Sequence, residues 1–459
     1  MALTPRLVQT CLEALPSRVN APALEAAALC LVDSLAVAYA AYDEAPINML
    51  RATSTAGGHS GASSVIAYGD RAQPADAALV NGTMISLQLF DDNHELMRGH
   101  PSAPLLPAVL AMGEVADISL IEALKAFIVG YEVECRLGQL LNPAHYEFGW
   151  HATATQGTMA AAVASGLILR LDATAMAHTL GIAASLASGI RRNFGSMTMS
   201  LHSGHAASSG VRAAQLAQQG FTADPMVFDQ ARGYGQMFSS EWSTEVAEQH
   251  LAQWGLPFML LEPGPTFKLF PCGRPTLFGV DAAMAIQQQH GILASDVRHI
   301  ICDVSYMYPR TLIHSRPNNG LQGKTSLEYC VAASLVDGRP TQASFSDAAV
   351  RRPQILDLIE RTEVRVPAHL SEDVPAVRKA PFEQPVTVTI ETHDGRRLSH
   401  TIHDHKGSPR NPASKTDLRQ KFIDCAGAHL PAARVEGILG HIAGSDASVR
   451  SLMALLPVR

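Results

Sequence analysis

Residues 157–170 read GTMAAAVASGLILR, a segment in which small or apolar side chains face every side of a helix. The segments DATAMAHTLGIAASLASGI (172–190) and SGHAASSGVRAAQLAQQGF (203–221) have the same character. A helix that is apolar all round belongs in the interior of a protein, and small side chains let helix axes approach closely. These three segments therefore predict a tightly packed helical bundle.

The helical pattern extends from the N-terminal region to about residue 260 and includes the segments 22–43 and 119–141. It changes after LEPGPTFKLFPCGRP (261–275), where prolines and glycines interrupt the chain as a domain boundary does. Beyond that point, alternating segments predict both strands and helices, and a hairpin turn is indicated at Asp394-Gly395. The strands are expected at 297–306, 362–367 and 385–402, the helices at 276–289, 326–336 and 346–361, and a helical tail at 413–442, which is expected to return to the first domain.

Composition argues against several classes of protein. The net charge is -7, 17% of residues are charged, and no basic run is interleaved with aromatics, so nucleic acid is not an expected partner. The seven cysteines form no CxxC pair, which argues against a disulfide framework or structural zinc and favours a reducing cytoplasm. The apolar stretch 26–41 contains Asp33 and is short for a bilayer, so no membrane association is expected.

The polar stretch FDDNHELMRGHPSA (90–103) concentrates acids and histidines between apolar segments. Asp91, Asp92 and His94 are close enough in sequence for a metal site, but the HxxxH spacing of a helical metal site is absent. The alternative is a polar loop in which Ser102 caps a helix that begins at Ala103-Pro104.

Three further stretches contain side chains suited to chemistry. In EFGWHATATQG (147–157), His151 is either a catalyst or a packed, hydrogen-bonded residue. In GIRRNFGSMTMSLHSGHAA (189–207), arginines and helix-start amides suit a carboxylate, although a solvated connection between helices is equally compatible. In FKLFPCGRPTL (267–277), Lys268 and Arg274 lie at the predicted domain boundary, where ligand clefts are common. Cys272 has no identifiable base, so core packing is expected for it.

Five blocks in this order resemble the MmgE/PrpD family, which includes 2-methylcitrate dehydratase, cis-aconitate decarboxylase and iminodisuccinate epimerase. They are NGTMISLQLFDDNHELMRGHPSAPLLPAVLA (81–111), GWHATATQGTMAAA (149–162), NFGSMTMSLHSGHAA (193–207), KLFPCGRPT (268–276) and GKTSLEYCVAASLVDG (323–338). The resemblance implies a mainly α fold, with a large all-helical domain (1–262, completed by 404–459) and a smaller α+β lid domain (263–403). It also implies a homodimer that needs no metal or other cofactor.

The resemblance further implies an interdomain pocket for a small di- or tricarboxylate. Histidines suit proton transfer at neutral pH, and cations suit the orientation of carboxylates. The implied catalytic residues are His100, His151, Asp92 and Tyr329, and the implied substrate-binding residues are Lys268, Asp91, Arg192, His202 and Arg274.

The expected activity is that of a lyase, most simply a dehydratase that removes a proton next to a carboxylate. The alternatives are an epimerase, which the MRGHPS segment (97–102) resembles, a decarboxylase, and an inactive binding protein with the same fold. Family members commonly carry an acid at the position of Leu89, a lysine at that of Met199, and in several cases a histidine after the lysine that corresponds to Lys268. These departures predict a substrate with one fewer charged group, a changed reaction or a loss of activity.

Overall fold

The computed structural model describes residues 2–54, 61–229, 231–444 and 447–458, and helices make up most of it. The first part of the chain forms helices α1 (Leu3–Gln9), α2 (Leu15–Arg18), α3 (Ala21–Ala40), α4 (Ala45–Ser54), α5 (Pro74–Leu87), α6 (Ser102–Ala116), α7 (Leu120–Leu141), α8 (Ala144–Phe148), α9 (Ala152–Ile168), α10 (Ala173–Leu186), α11 (Met197–Gln218), α12 (Tyr234–Phe238) and α13 (Thr244–Leu251). A two-stranded ribbon, β1 (Ser63–Ser64) and β2 (Arg71–Ala72), lies between α4 and α5.

The centre of the first domain is a bundle in which α11 packs against both α5 and α9. Helix α9 is buried on nearly all sides, as its sequence predicts. Gly204 of α11 faces Gly82 of α5, and a Cβ at Gly204 would lie 2.0 Å from the carbonyl oxygen of Leu79. The two helices therefore approach more closely than any side chain would allow.

We expect Gly204→Ala to destabilise the protein, because the added methyl must push α5 and α11 apart. Overpacking of this kind costs about 1–3 kcal/mol. The matched control is Gly437→Ala, since a Cβ there meets no atom within 4 Å and alanine is a better helix former than glycine. Urea denaturation of both variants measures the difference, and equal or greater stability of Gly204→Ala would contradict the close approach.

The second part of the chain forms a small mixed sheet covered by helices. The sheet has the strand order β4 (Thr362–Arg365), β3 (Val297–Asp303), β5 (Val386–Thr392), β6 (Arg397–Ile402), with β3 parallel to β4 and antiparallel to β5. The predicted hairpin is confirmed, since β5 and β6 pair antiparallel and Gly395 in the turn has a φ of 87°. The elements are α14 (Arg274–His290), β3 (Val297–Asp303), α15 (Met307–Thr311), α16 (Gly320–Gly323), α17 (Leu327–Asp337), α18 (Asp347–Val350), α19 (Pro353–Glu360), β4 (Thr362–Arg365), α20 (Pro375–Lys379), β5 (Val386–Thr392) and β6 (Arg397–Ile402).

The C-terminal tail returns to the first domain as α21 (Lys415–Ala426), α22 (Ala432–Ala443) and α23 (Val449–Leu455). Helix α21 packs against α3, and Lys421 Nζ lies 2.6 Å from Asp33 Oδ1 in the interior. One hydrophobic core joins the first domain to this tail, and a second core lies almost entirely within residues 270–402. The mainly α fold with a smaller α+β part is confirmed. The domain limits at 262 and 404 stay a prediction that the two cores support.

Helix α3 is the one helix of the described residues that is long and apolar enough to cross a membrane by length and composition. The sequence stretch seemed too short for this, but the helix extends over 20 residues. Most of it, 72% of its most apolar window, is buried within the protein. It packs against α5 and against α21 of the C-terminal tail, as a core helix does.

Candidate active site

A cavity of about 90 Å³ lies between the helical domain and the lid. Its wall in the first domain comes from the loop that joins α5 to α6 and from the starts of α9 and α11, and its wall in the lid comes from the start of α14 and from α15. The described lining residues are Ser86, Leu89, Asn93, Glu95, Arg98, His100, Tyr146, His151, Phe194, Met199, Gly273, Arg274, Pro275, Thr311, Leu312, Thr325 and Phe382.

The loop between α5 and α6 is fixed by its backbone. Asn93 exchanges two backbone hydrogen bonds with Thr266, of 2.9 and 2.7 Å, which attaches the loop to the start of the lid. The His94 amide donates to the Gly99 carbonyl oxygen at 2.9 Å, and the His100 amide donates to Thr153 Oγ1 of α9 at 2.9 Å. These bonds position His100 at the cavity wall.

His100, which is partly exposed, pairs with the fully buried Asp91. His100 Nδ1 lies 3.1 Å from Asp91 Oδ2 and 3.0 Å from the carbonyl oxygen of Asp92. Burial alone would raise the pKa of Asp91, but His100 and Lys268 hold that pKa below its usual value, so the carboxylate stays ionised. Because Nδ1 faces these oxygens, the tautomer with hydrogen on Nδ1 leaves the Nε2 lone pair free.

Asp92 lies behind this pair and is fully buried. It accepts hydrogen bonds from the Ser102 hydroxyl at 2.8 Å and from the Ser102 amide at 3.3 Å. Burial, together with the nearby Asp33 and Asp91, raises the pKa of Asp92 to about 8. The predicted cap at Ser102 is wrong, because α6 already begins at Ser102 and the hydroxyl bonds to Asp92 instead.

His151 and His202 form a second pair. Their Nδ1 atoms are 2.9 Å apart, and the His151 amide donates to the Gly189 carbonyl oxygen at 3.0 Å. Burial lowers the pKa of His202 to about 4, and burial with the neighbouring His202 lowers that of His151 well below its usual value. Both rings are therefore neutral at pH 7, and one Nδ1 donates to the other. His151 lines the cavity, with its ring 5.0 Å from that of Phe194, and His202 lies behind it.

The neutral state of His202 predicts a pH effect on stability. An unfolded chain protonates histidine near pH 6.5, whereas the folded chain keeps His202 neutral down to about pH 4. The unfolded state thus binds more protons between these values, and this contribution to stability is lost as the pH falls from 6.5 to 4. We expect the stability advantage of wild type over His202→Asn to shrink across this range in chemical denaturation. A constant advantage would contradict the shift, and the exposed His290→Asn is the control.

Of the other predicted site residues, one lines the cavity, one is buried behind its wall and one is exposed at the surface. Arg274 lines it and donates from Nη1 to Glu383 Oε1 at 3.1 Å. Lys268 is fully buried behind Asp91, with Nζ 3.0 Å from the Leu89 carbonyl oxygen and 3.9 Å from Asp91 Oδ1. Arg192 is exposed on the turn Arg191–Asn193.

Tyr329 is not brought to the cavity either. It is buried in the lid core, where its hydroxyl donates to the carbonyl oxygen of Ser344 and its ring packs against Phe345. The candidate metal ligands Asp91, Asp92 and His94 do not form a site. The His94 ring points elsewhere, with Nε2 3.3 Å from the carbonyl oxygen of Met259. Within the described parts of the chain, no group of three or more metal-binding side chains is assembled.

The stretch 189–207 offers both Arg191 and Arg192 to a carboxylate, and sequence reasoning selected Arg192 for the site. Arg191 donates to the Tyr146 carbonyl oxygen at 2.6 Å and to Thr311 Oγ1 at 3.2 Å, and its guanidinium lies 3.7 Å from the Tyr146 ring centre. Since Tyr146 and Thr311 line the cavity from different domains, Arg191 joins the two walls. Arg98 and Glu95 were missed as cavity residues, although both are charged residues of the quoted loop.

This fold and cavity define a class of protein. It is a two-domain, mainly helical enzyme with paired histidines and an arginine in the cleft under its lid. The chain belongs to the MmgE/PrpD family: the MmgE/PrpD N-terminal domain matches residues 6–247 and the C-terminal domain matches residues 270–442.

Curated relatives are similar along most of the chain. Human cis-aconitate decarboxylase is 29% identical over 381 residues, which cover 80% of this chain and 76% of the relative. Cis-aconitate decarboxylase of Aspergillus terreus is 28% identical over 408 residues, which cover 82% of this chain and 80% of the relative. These relatives support membership of a family of lyases.

Proposed function

We propose that this protein is a lyase of the dehydratase type that acts on a small di- or tricarboxylate by removing a proton next to a carboxylate. The observation that carries the proposal is the pair of His100 and the buried Asp91 at the cavity wall, with His100 Nδ1 3.1 Å from the carboxylate. The similarity to cis-aconitate decarboxylases supports lyase chemistry on a small carboxylate.

His100 acts as the base in this mechanism. Its Nε2 lone pair accepts the carbon-bound proton, and the resulting imidazolium stays beside the Asp91 carboxylate, which is ionised. Burial of Asp91 strengthens this attraction, because the local dielectric is low. The electron pair of the broken C–H bond forms the double bond as the hydroxyl group leaves from the adjacent carbon.

His151 is placed to donate a hydrogen bond to the leaving hydroxyl group. When His202 donates its Nδ1 hydrogen to His151 Nδ1, the neutral His151 carries its own hydrogen on Nε2 and keeps it through the reaction. The proton that His100 took from carbon passes to the leaving oxygen, so water departs and His100 returns to its neutral form. Arg274, at the lid wall, supplies the positive charge that holds a substrate carboxylate during this step.

The catalytic roles of Asp92 and Tyr329 and the substrate-binding roles of Lys268 and Arg192 stay predictions. In this mechanism Lys268 instead acts through Asp91, since its ammonium group lies 3.9 Å from the carboxylate. The homodimer stays a prediction from the family resemblance, and the cytoplasmic location stays a prediction from the cysteine pattern.

Decarboxylation is the second candidate reaction, favoured by the activity of the named relatives. In that case a carbon–carbon bond breaks, carbon dioxide leaves, and a histidine protonates the carbon that held it. Met199 at the cavity wall, where family members commonly carry a lysine, makes this reaction the less supported of the two.

Proton NMR in heavy water tests the proposal with a panel of hydroxylated di- and tricarboxylates and cis-aconitate. A dehydratase yields an alkene and exchanges the substrate hydroxyl with isotopically labelled water. A decarboxylase releases carbon dioxide, an epimerase exchanges the carbon-bound hydrogen alone, and an inactive binding protein gives thermal stabilisation without turnover. Either of the last two outcomes would contradict a lyase.

A further inference from the structure

Two arginines face the cavity from opposite domains with buried N–H groups that lack a partner. Arg98 lies in the loop between α5 and α6, and Arg274 is the first residue of α14 in the lid. Their side chains are only 9% and 7% exposed. Among the described residues, Arg98 Nη1 and Arg274 Nε have no hydrogen-bond acceptor. A buried donor without an acceptor is costly, so both positions favour an anionic ligand.

The backbone at Arg98 is strained where the side chain is directed to the cavity. Arg98 has a φ of 54°, in the left-handed region that side chains rarely adopt, and its amide donates to the His94 carbonyl oxygen at 3.0 Å. Such a conformation is strained for a residue with a side chain and persists where the surrounding structure imposes it. Arg98 forms a long ion pair with Glu147, whose Oε1 lies 3.9 Å from Arg98 Nη1, and this distance is too long for a hydrogen bond.

The remaining charges of the wall limit how many carboxylates fit. Arg98 and Arg274 are the only lysine or arginine side chains among the described lining residues, while Leu89 and Met199 contribute apolar surface. Burial, together with the nearby Glu383, raises the pKa of Glu95 above its usual value. A third carboxylate would therefore meet an apolar surface and lose its hydration without compensation.

We propose that the ligand of this cavity is a small dicarboxylate whose two carboxylates bind Arg98 and Arg274, so that Arg98 determines specificity for two charges over three. This inference rests on the proposed function only in taking the cavity as the substrate site. Because the two arginines belong to different domains, the ligand connects the lid to the helical domain.

Calorimetric binding of saturated, unreactive acids tests this inference apart from turnover. The probes are succinate with two carboxylates, tricarballylate with three, and butyrate with one. Wild type is expected to bind succinate about tenfold or more tightly than either of the others, because each charge-assisted hydrogen bond contributes appreciably. Absence of succinate binding, or equal binding of all three acids, would overturn the proposal.

Variants assign the effect to Arg98. Arg98→Gln is expected to weaken succinate about tenfold or more, Arg98→Lys to weaken it less, and butyrate to change little in either. The matched control is Arg316→Gln, since Arg316 is an exposed lid arginine paired with Glu360. Unchanged succinate affinity in Arg98→Gln would refute the binding of a carboxylate by Arg98. The Arg98→Lys variant shows whether a loss of affinity reflects the lost charge or misfolding.

A gain of affinity is the complementary test. Met199→Lys places a third cation at the cavity wall, so tricarballylate is expected to bind about tenfold more tightly while succinate changes little. If Met199→Lys does not bind tricarballylate more tightly than wild type, the proposal that the cavity accommodates only two carboxylates is contradicted. Turnover in the same variants separates the two proposals: Arg98-dependent binding without turnover removes the lyase alone, and turnover with Arg98-independent binding removes the dicarboxylate anchor alone.

Discussion

His100→Asn is expected to lower turnover by about 10²- to 10⁴-fold, the usual range for loss of a positioned general base. The substitution removes the Nε2 lone pair that we assign to proton abstraction, while the cavity retains its cations. Succinate affinity should therefore change much less than turnover. Single-turnover measurement of product formation, together with calorimetry, separates the two effects.

Asp91→Asn provides the companion variant. It keeps the shape of the side chain but removes the charge that stabilises the imidazolium, 3.1 Å from Nδ1, so a large loss of turnover is expected here as well. The matched control is His290→Asn, a substitution at an exposed position on α14. Full turnover by both His100→Asn and His151→Asn would contradict the roles proposed for the two histidines.

Lys421→Met is expected to reduce the free energy of unfolding by about 3–5 kcal/mol, the range for breaking a buried ion pair from one side. Lys421 Nζ donates to Asp33 Oδ1 and to the Phe90 carbonyl oxygen, both at 2.6 Å, and to the Lys268 carbonyl oxygen at 3.0 Å. Its removal leaves the buried Asp33 without its ion-pair partner and removes the donor that joins the carbonyl oxygens of Phe90 and Lys268.

The control lies on the same helix. Arg419 forms an exposed ion pair with Glu436, so Arg419→Gln is expected to cost no more than about 1 kcal/mol. The double variant Lys421→Met with Asp33→Leu should recover part of the loss, because no buried charge is then unpaired. Guanidinium denaturation measures all three, and a Lys421→Met effect as small as that of Arg419→Gln would disprove the structural role.

Local patterns predicted most elements of the fold but not every boundary. The segment 346–361 reads as one helix, yet α18 ends at Val350 and α19 begins at Pro353, since proline lacks the amide that would continue a helix. The hairpin at Asp394-Gly395 was predictable because turn and strands are adjacent in sequence. The pairing of Lys421 with Asp33 was not, because it depends on tertiary packing alone.

The candidate site shows the same limit. His100 and His151 both line the cavity, and each lies just before the start of a helix. Lys268 and Arg98 are both cations in suggestive stretches, and only the three-dimensional arrangement shows that Lys268 is fully buried behind Asp91 whereas Arg98 reaches the cavity. Burial is a property of the assembled domains, so single stretches of sequence do not encode it.

The ion pair between α3 and α21 has a consequence for the synthesis of the protein. Asp33 and Lys421 are 388 residues apart, and ribosomes add about 5–20 residues per second, so Asp33 waits roughly 20–80 s for its cation. During that interval the nascent helical domain exposes the apolar face that α21 later covers. This uncovered face is a target for chaperones that bind emerging chains. A chain that terminates before Lys421 lacks the cation for Asp33 and leaves the face uncovered.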